Sequence, residues 1–188
     1  MTRQQAPVTP PVVLTIAGSD SGGGAGIQAD LKTIEAGGGF GTSAITSVTA
    51  QHTRGVESTH LLPPTEIEAQ CDAVTGDFDV AAVKTGMLAT SEIVELVTEQ
   101  VADLAAPAVV DPVMVATSGD RLLDEGAEAA YEALASEATL ITPNADEATV
   151  LTGIEIESTA DAERAGQQLV AEGVEAALIK GGHVPGEA

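Results

Sequence analysis

Tryptophan is absent from this 188-residue chain, tyrosine and cysteine occur once each, and phenylalanine twice. The lone cysteine, Cys71, excludes an intrachain disulfide and any cysteine metal cluster. Basic residues are also scarce: 7 Lys and Arg stand against 29 Asp and Glu, a formal net charge of -22. Such a surface repels phosphate backbones, which excludes nucleic acid as a partner. No apolar run approaches the ~18 residues that a membrane span needs. Met1 to Pro11 has neither the basic start nor the apolar stretch of a secretory leader. The expectation is a cytoplasmic protein without a membrane partner.

What is present suffices for a core. Hydrophobic residues make up 44% of the chain, and a domain of this size buries roughly 70% of its unfolded surface. One folded domain is therefore expected, not an acidic disordered chain. Lysine is confined to Lys32, Lys84 and Lys180, while Ala, Gly, Val and Thr fill positions that larger residues usually occupy. This composition resembles that of cytoplasmic proteins from salt-loving archaea. Repulsion among so many like charges opposes the compact state, and molar salt, with a Debye length of about 3 Å, removes that penalty.

Residues 1–11 carry Pro7, Pro10 and Pro11 and read as a flexible arm. Val12 to Ala17 is a short apolar run closed by glycine, the mark of a strand buried on both faces. Similar runs recur at Ala81 to Lys84, Ala108 to Asp111, Thr139 to Ile141 and Ala176 to Lys180. Thr42 to Gln51 suggests a further strand, with one wet face over Ala44 to Val48. Helical stripes lie between the runs. Ile27, Leu31 and Ile34 share a face, and Ile93, Val94, Leu96, Val97, Val101 and Leu104 follow the caps Thr90 and Ser91. Ser158 and Asp161 open another helix, with Ala162, Ala165, Leu169 and Val170 inward. Strand and helix alternation predicts an α/β fold with a mostly parallel sheet covered on both faces. In such sheets the ligand crevice lies beyond the carboxyl ends of the strands. Asp111, Lys84 to Met87, Thr142 to Asn144 and Lys180 to His183 all sit at such ends.

The first strand runs into Gly18-Ser19-Asp20-Ser21-Gly22-Gly23-Gly24-Ala25-Gly26-Ile27-Gln28-Ala29-Asp30. A glycine-rich turn before a helix lets the backbone approach a ligand. The P-loop string is absent, since Gly26 leads to Ile27-Gln28 and not to Lys and Ser or Thr. Gly24 to Ala29 fits the looser dinucleotide pattern G-x-G-x-x-A, and a dinucleotide-binding oxidoreductase stays open as an alternative. The acid expected after the second strand is missing from it, because Ser47-Val48-Thr49-Ala50 leads to Gln51-His52. Glycines that only turn the chain are the plainer reading.

Taken whole, Thr15 to Thr33 closely resembles the N-terminal signature of the hydroxymethylpyrimidine and phosphomethylpyrimidine kinases of thiamine biosynthesis, a branch of the ribokinase-like superfamily. Further strings follow in register: Ser47 to Val56, Lys84-Thr85-Gly86-Met87-Leu88, Val110-Asp111-Pro112-Val113-Met114, Ser118-Gly119-Asp120, Leu140 to Ala148 and Lys180-Gly181-Gly182-His183. The resemblance covers the chain from Val12 onward. It implies a three-layer sandwich with a mostly parallel sheet. The implied activity is ATP-dependent phosphorylation, with Mg2+, of 4-amino-5-hydroxymethyl-2-methylpyrimidine and of its monophosphate. By the same resemblance, Gln51, Asp30, Met87 and Gly18 would form the pyrimidine pocket. Asn144 and Glu147 would organise Mg2+ and phosphate through water, with Asp111 nearby, and Lys180 would face the ATP phosphates.

Each of these residues also has a plainer role. Asp30 could complement a helix N-terminus. Asn144 could cap a helix with Glu147 as its N3 partner, and Met87 could be core. His52, His60 and His183 have no zinc-site spacing, and Cys71 does not match the family's active-site cysteine.

One element of the resemblance is missing. The superfamily carries its hydroxyl-activating group on a late G-T-G turn that forms an anion hole, and no such turn follows Lys180. The expectation is a partial kinase domain over 12–188, incomplete at its C-terminus and without a catalytic residue of its own. An exposed sheet edge would then favour a homodimer or aggregation. A non-catalytic pyrimidine-binding module is the alternative function.

Overall fold

The computed structural model describes residues 9–114 and 127–181. Ser118-Gly119-Asp120, Gly182-His183 and most of the N-terminal arm lie outside them. Strand β1 (Val12–Asp20) is the centre of the sheet, and Leu14 to Gly18 are buried within it. Helix α1 (Gly26–Ala36) returns the chain to β2 (Phe40–His52), which pairs parallel with β1. A tight turn then leads to β3 (Gly55–Leu61), antiparallel to β2. Five of the seven β3 residues are exposed, so no apolar pattern announced this edge strand.

After α2 (Pro64–Thr75) the chain crosses to the other side of β1. There β4 (Val80–Thr85), α3 (Ser91–Asp103), β5 (Ala108–Val110), α4 (Ala127–Ser136) and β6 (Leu140–Ile141) extend the sheet. The strand order is β3-β2-β1-β4-β5-β6, parallel except for β3. Helix α1 packs on β1 and β2, whereas α2 packs against α3 and α3 against α4. The core joins Leu14, Ile16, Val83, Val110 and Ile141 of the strands to Ile93, Val94, Val97, Tyr131 and Leu134 of the helices. Cys71 is fully buried in α2, and burial pushes its thiol pKa up to about 11. Helices α5 (Ala145–Thr152) and α6 (Thr159–Ala171) complete the described chain.

Three local expectations need correction. Ala176 to Lys180 does not form a continuous strand; it makes two isolated parallel bridges, Ile141 to Ala177 and Asn144 to Lys180. Pro143 lies between them and has no N–H to continue a ladder, although its carbonyl accepts from Lys180 N at 2.8 Å. The register between β1 and β2 slips after Ala17, so Ser47 turns inward beside Thr46 and Val48 is left exposed. Val170 also faces solvent, and the buried face of α6 is Ala165 and Leu169.

From β1 the chain winds one way through α1 to β2 and the other way through β4 to β6. The order therefore reverses between β1 and β4. A crevice opens where two neighbouring crossovers run to opposite faces, so the carboxyl ends of β1 and β4 are where a ligand should sit. Those ends are Gly18 to Asp20 and Thr85 to Met87.

Candidate functional site

The glycine turn between β1 and α1 is organised from within. Asp20, only 5% exposed, accepts from the backbone N–H groups of Gly22 at 2.7 Å and of Gly24 and Ala25 at 2.9 Å. Burial alone would raise its pKa, but these N–H groups outweigh it and hold the carboxyl below its ordinary value. Gln28 of α1 pins the strand end, accepting from Asp20 N at 2.8 Å and donating to Ser19 Oγ at 2.8 Å. Lys32 donates to Gly23 O at 2.7 Å. Gly26 has φ +55, and a Cβ there would collide with the Gly18 carbonyl. Three of the loop N–H groups, those of Gly22, Gly24 and Ala25, are thus spent on Asp20 and not held free for a pyrophosphate, which weakens the dinucleotide reading of Gly24 to Ala29.

Beside this turn lies a cavity of about 330 Å³, lined among others by Gly18, Asp30, Gln51, Lys84, Met87 and Asp111. Gly18 is needed for space: a Cβ would come within 2.7 Å of Ser47 Oγ and 2.9 Å of Met87 Cε. Met87 is half-buried, so it walls the cavity and is not core. The Gln51 backbone is tied to the glycine turn, since Ser21 Oγ donates to its carbonyl and accepts from its N–H, both at 2.7 Å. Its side-chain Oε1 lies 3.1 Å from Thr49 Oγ1, while the same hydroxyl donates to Ser19 O at 2.7 Å. A hydroxyl has one proton, and the shorter contact takes it. Exchanging the amide oxygen and nitrogen of Gln51 then satisfies it best, with the nitrogen donating to Thr49 Oγ1 and the oxygen left for a ligand.

Asp30 is not at the N-terminus of α1, and it does not serve that helix end. It is the fifth residue of α1 and reaches across to the sheet. Thr15 Oγ1 donates to Asp30 Oδ2 at 2.7 Å, and Lys84 Nζ lies 3.0 Å from both carboxylate oxygens. Thr15 and Lys84 are register partners on β1 and β4.

Asp111, just beyond β5, links the cavity to a second polar cluster. Lys180 Nζ lies 2.7 Å from Asp111 Oδ1 and 3.9 Å from Glu147 Oε2. Glu147 and Asn144 form a capping box on α5: Asn144 Oδ1 accepts from Glu147 N at 2.8 Å, and Glu147 Oε2 accepts from Asn144 N at 2.7 Å. Glu147 is 4% exposed. Burial raises its pKa above the ordinary glutamate value, while the Asn144 N–H and the Lys180 ammonium pull the other way and Asp111 adds to the rise.

Among the described residues no three His, Cys, Asp or Glu side chains converge as a metal cage. Asp111 lines the cavity with its side chain 24% exposed and its Oδ1 paired with Lys180, a single carboxylate of the kind that would hold Mg2+ together with water and substrate phosphates.

The structure thus brings Gly18, Asp30, Gln51 and Met87 to one cavity. It sets Lys180, Asn144 and Glu147 beside it, joined through Asp111. Sequence reasoning assigned no site role to Asp20, Thr15 or Gln28, and it placed Lys84 only generally, at the strand ends where the crevice was expected. For Lys84 a signal existed, since it is one of three lysines in a chain of net charge -22 and ends a strand. For Thr15 and Gln28 none did, because their partners are distant in sequence or decided by the turn.

Residues 20–188 match the phosphomethylpyrimidine kinase family. The hydroxymethylpyrimidine/phosphomethylpyrimidine kinase of Streptomyces coelicolor is 52% identical over 189 residues, covering 100% of this chain and 70% of its own length. The enzyme of that name from Haemophilus influenzae is 51% identical over 173 residues, covering 91% and 64%. Among solved structures, a phosphomethylpyrimidine kinase of Clostridium difficile aligns with a TM-score of 0.88 at 44% identity, over 95% of this chain and 78% of that one. A Bacillus subtilis pyridoxal kinase, solved as an ADP complex, aligns with a TM-score of 0.86 at 36% identity, over 95% and 69%.

Proposed function

The chain belongs to the phosphomethylpyrimidine kinase family, and on that premise we propose that its cavity binds 4-amino-5-hydroxymethyl-2-methylpyrimidine and its monophosphate for phosphorylation by ATP. The chain spans 70% and 64% of the length of the two curated relatives above, so the activity of a whole enzyme is part of this proposal. The observation that carries it is the juxtaposition of a small cavity walled by Met87 and Gln51 with the Asp111 and Lys180 pair at its edge.

The Gln51 amide oxygen accepts from the exocyclic amine, Met87 covers one ring face, and Gly18 leaves room for the ring. The hydroxymethyl group is directed toward Asp111, where the phosphoryl group arrives. Lys180 supplies positive charge for developing phosphate charge, held in place by Asp111 and Glu147. Asp111 would be the carboxylate to hold Mg2+ carried with ATP, which would supply neutralisation of phosphate charge. Among the described residues each cavity carboxylate is already engaged, by backbone N–H groups at Asp20 and by lysine at Asp30 and Asp111. The described site thus accounts for binding and charge neutralisation, and assigns no group to take the hydroxyl proton.

Calorimetric titration with the hydroxymethylpyrimidine, followed by an assay of pyrimidine-dependent ADP release from Mg-ATP, tests this reading. Binding is expected, and Gln51→Ala should weaken it about 10-fold or more without changing the melting temperature, the scale of a lost ligand hydrogen bond in a closed site. Unchanged binding by that variant overturns the site assignment. Phosphorylation of pyridoxal in preference to the pyrimidine overturns the substrate assignment, and binding without turnover marks a pyrimidine-binding module.

A further inference from the structure

Three carboxylates line the cavity, and each has its own counterweight. Asp20 is met by backbone N–H groups, Asp111 by Lys180 and Asp30 by Lys84. In a chain with 29 acidic residues and three lysines, Lys84 lines this cavity and Lys180 pairs with one of its carboxylates. The Lys84 and Asp30 pair is well sheltered, with side chains 25% and 16% exposed. Room for the ammonium is built into the fold, since a Cβ on Gly86 would lie 3.0 Å from Lys84 Nζ. Thr15 supplies the second donor to Asp30, so β1, β4 and α1 are joined at the carboxylate.

We propose that Lys84 is a positioning residue that sets the charge of the cavity, so that the site selects the neutral aminopyrimidine ring over its protonated form. The inference rests on the reading of the cavity as a pyrimidine site. An aminopyrimidine accepts a proton on a ring nitrogen in mildly acidic solution. A carboxylate without a counter-charge in a sheltered cavity attracts that cation, because an opposite charge within a few ångströms favours the charged form. With the ammonium 3.0 Å from both oxygens the pair is neutral overall, and this attraction is cancelled. The other charged groups facing the cavity do not replace it: Asp20 is enclosed by its own loop and Asp111 is paired with Lys180. Asp30 remains an acceptor, oriented by Thr15 and Lys84, and does not act as a trap for cations.

The test is calorimetric binding of 4-amino-5-hydroxymethyl-2-methylpyrimidine at pH 5.5 and pH 8.0 to the wild-type chain, Lys84→Met and Lys84→Arg, with folding checked by circular dichroism at both values. Wild type should bind more weakly at pH 5.5, as the neutral ring is depleted. Lys84→Met should reverse the direction, with the ratio of affinity at pH 5.5 to that at pH 8.0 rising about 10-fold, the scale of one charged contact. Lys84→Arg keeps the charge and should keep the wild-type direction. A folded Lys84→Met whose ratio stays within about twofold of wild type overturns the inference, as does a reversal in Lys84→Arg. If Lys84→Met does not fold, Thr15→Val, which loosens Asp30 but leaves the charges paired, must keep the wild-type direction; a reversal there overturns the inference too. Failure of wild type to bind the pyrimidine at either pH overturns the functional reading itself, an outcome distinct from an unchanged ratio.

Discussion

Replacing Asp20 with asparagine removes one charge and reshapes the whole glycine turn. The carboxylate accepts three backbone N–H groups, from Gly22 on Oδ1 and from Gly24 and Ala25 on Oδ2, and it is nearly buried. An amide has one acceptor oxygen. Its best orientation keeps Gly24 and Ala25 and turns its NH2 toward the Gly22 N–H, donor against donor. Hydrogen bonds to charged groups contribute about 1.5–3 kcal/mol and neutral ones about 0.5–1.5. One bond is lost and two weaken by about 1 kcal/mol each, so Asp20→Asn should cost about 4 kcal/mol.

The pH dependence has a definite sign. The folded-state pKa of Asp20 lies below its ordinary value of 3.8. Its contribution is therefore present above about pH 3.8 and is lost as pH falls through the lower folded value. Urea unfolding of both proteins at pH 7 and pH 3, at one salt concentration, measures this, with hydrogen exchange at Gly22, Gly24 and Ala25 reporting on the turn. The stability gap should be large at pH 7 and shrink at pH 3. A gap under about 1 kcal/mol at pH 7, or one that does not change with pH, would refute the account of Asp20 as the organiser of the turn.

Three other outcomes follow from the same geometry. Gly26→Ala places a Cβ against the Gly18 carbonyl at φ +55 and should cost about 3 kcal/mol or more, with loss of pyrimidine binding; thermal unfolding and calorimetry check both. Glu147 has a raised pKa, so its ionisation opposes folding as pH rises above its ordinary 4.5. Glu147→Gln should therefore gain stability relative to wild type between pH 4.5 and pH 7, and a constant difference in urea midpoints would contradict this. The net charge of -22 predicts a melting temperature that rises with KCl, on the order of 10 °C between low and molar salt if screening returns about 3 kcal/mol; an unchanged melting temperature would show that self-repulsion does not limit the fold.

By itself the amino-acid sequence determined the alternation of elements and the edge where the site forms. Apolar runs closed by polar residues mark buried parallel strands, and Asp111, Met87 and Lys180 lie at or just past their carboxyl ends because those ends are where such a sheet leaves polar groups accessible. Local chemistry also declared the Thr90, Asn144 and Ser158 caps, since a cap needs only its own next turn.

Tertiary structure decided the pairings over distance. Asp30 reads as a first-turn acid in sequence, yet Lys84, 54 positions away, claims it, because α1 crosses β1 at that height. Register decided that Ser47 turns inward and Val48 outward, a slip of one residue that no periodicity could show. The interruption at Pro143 reduced an apolar run to two bridges. Short-range signals survive in sequence because their partners are a few residues apart. The electrostatics of the cavity do not, because they depend on which charges the sheet order brings within 3 Å of one another.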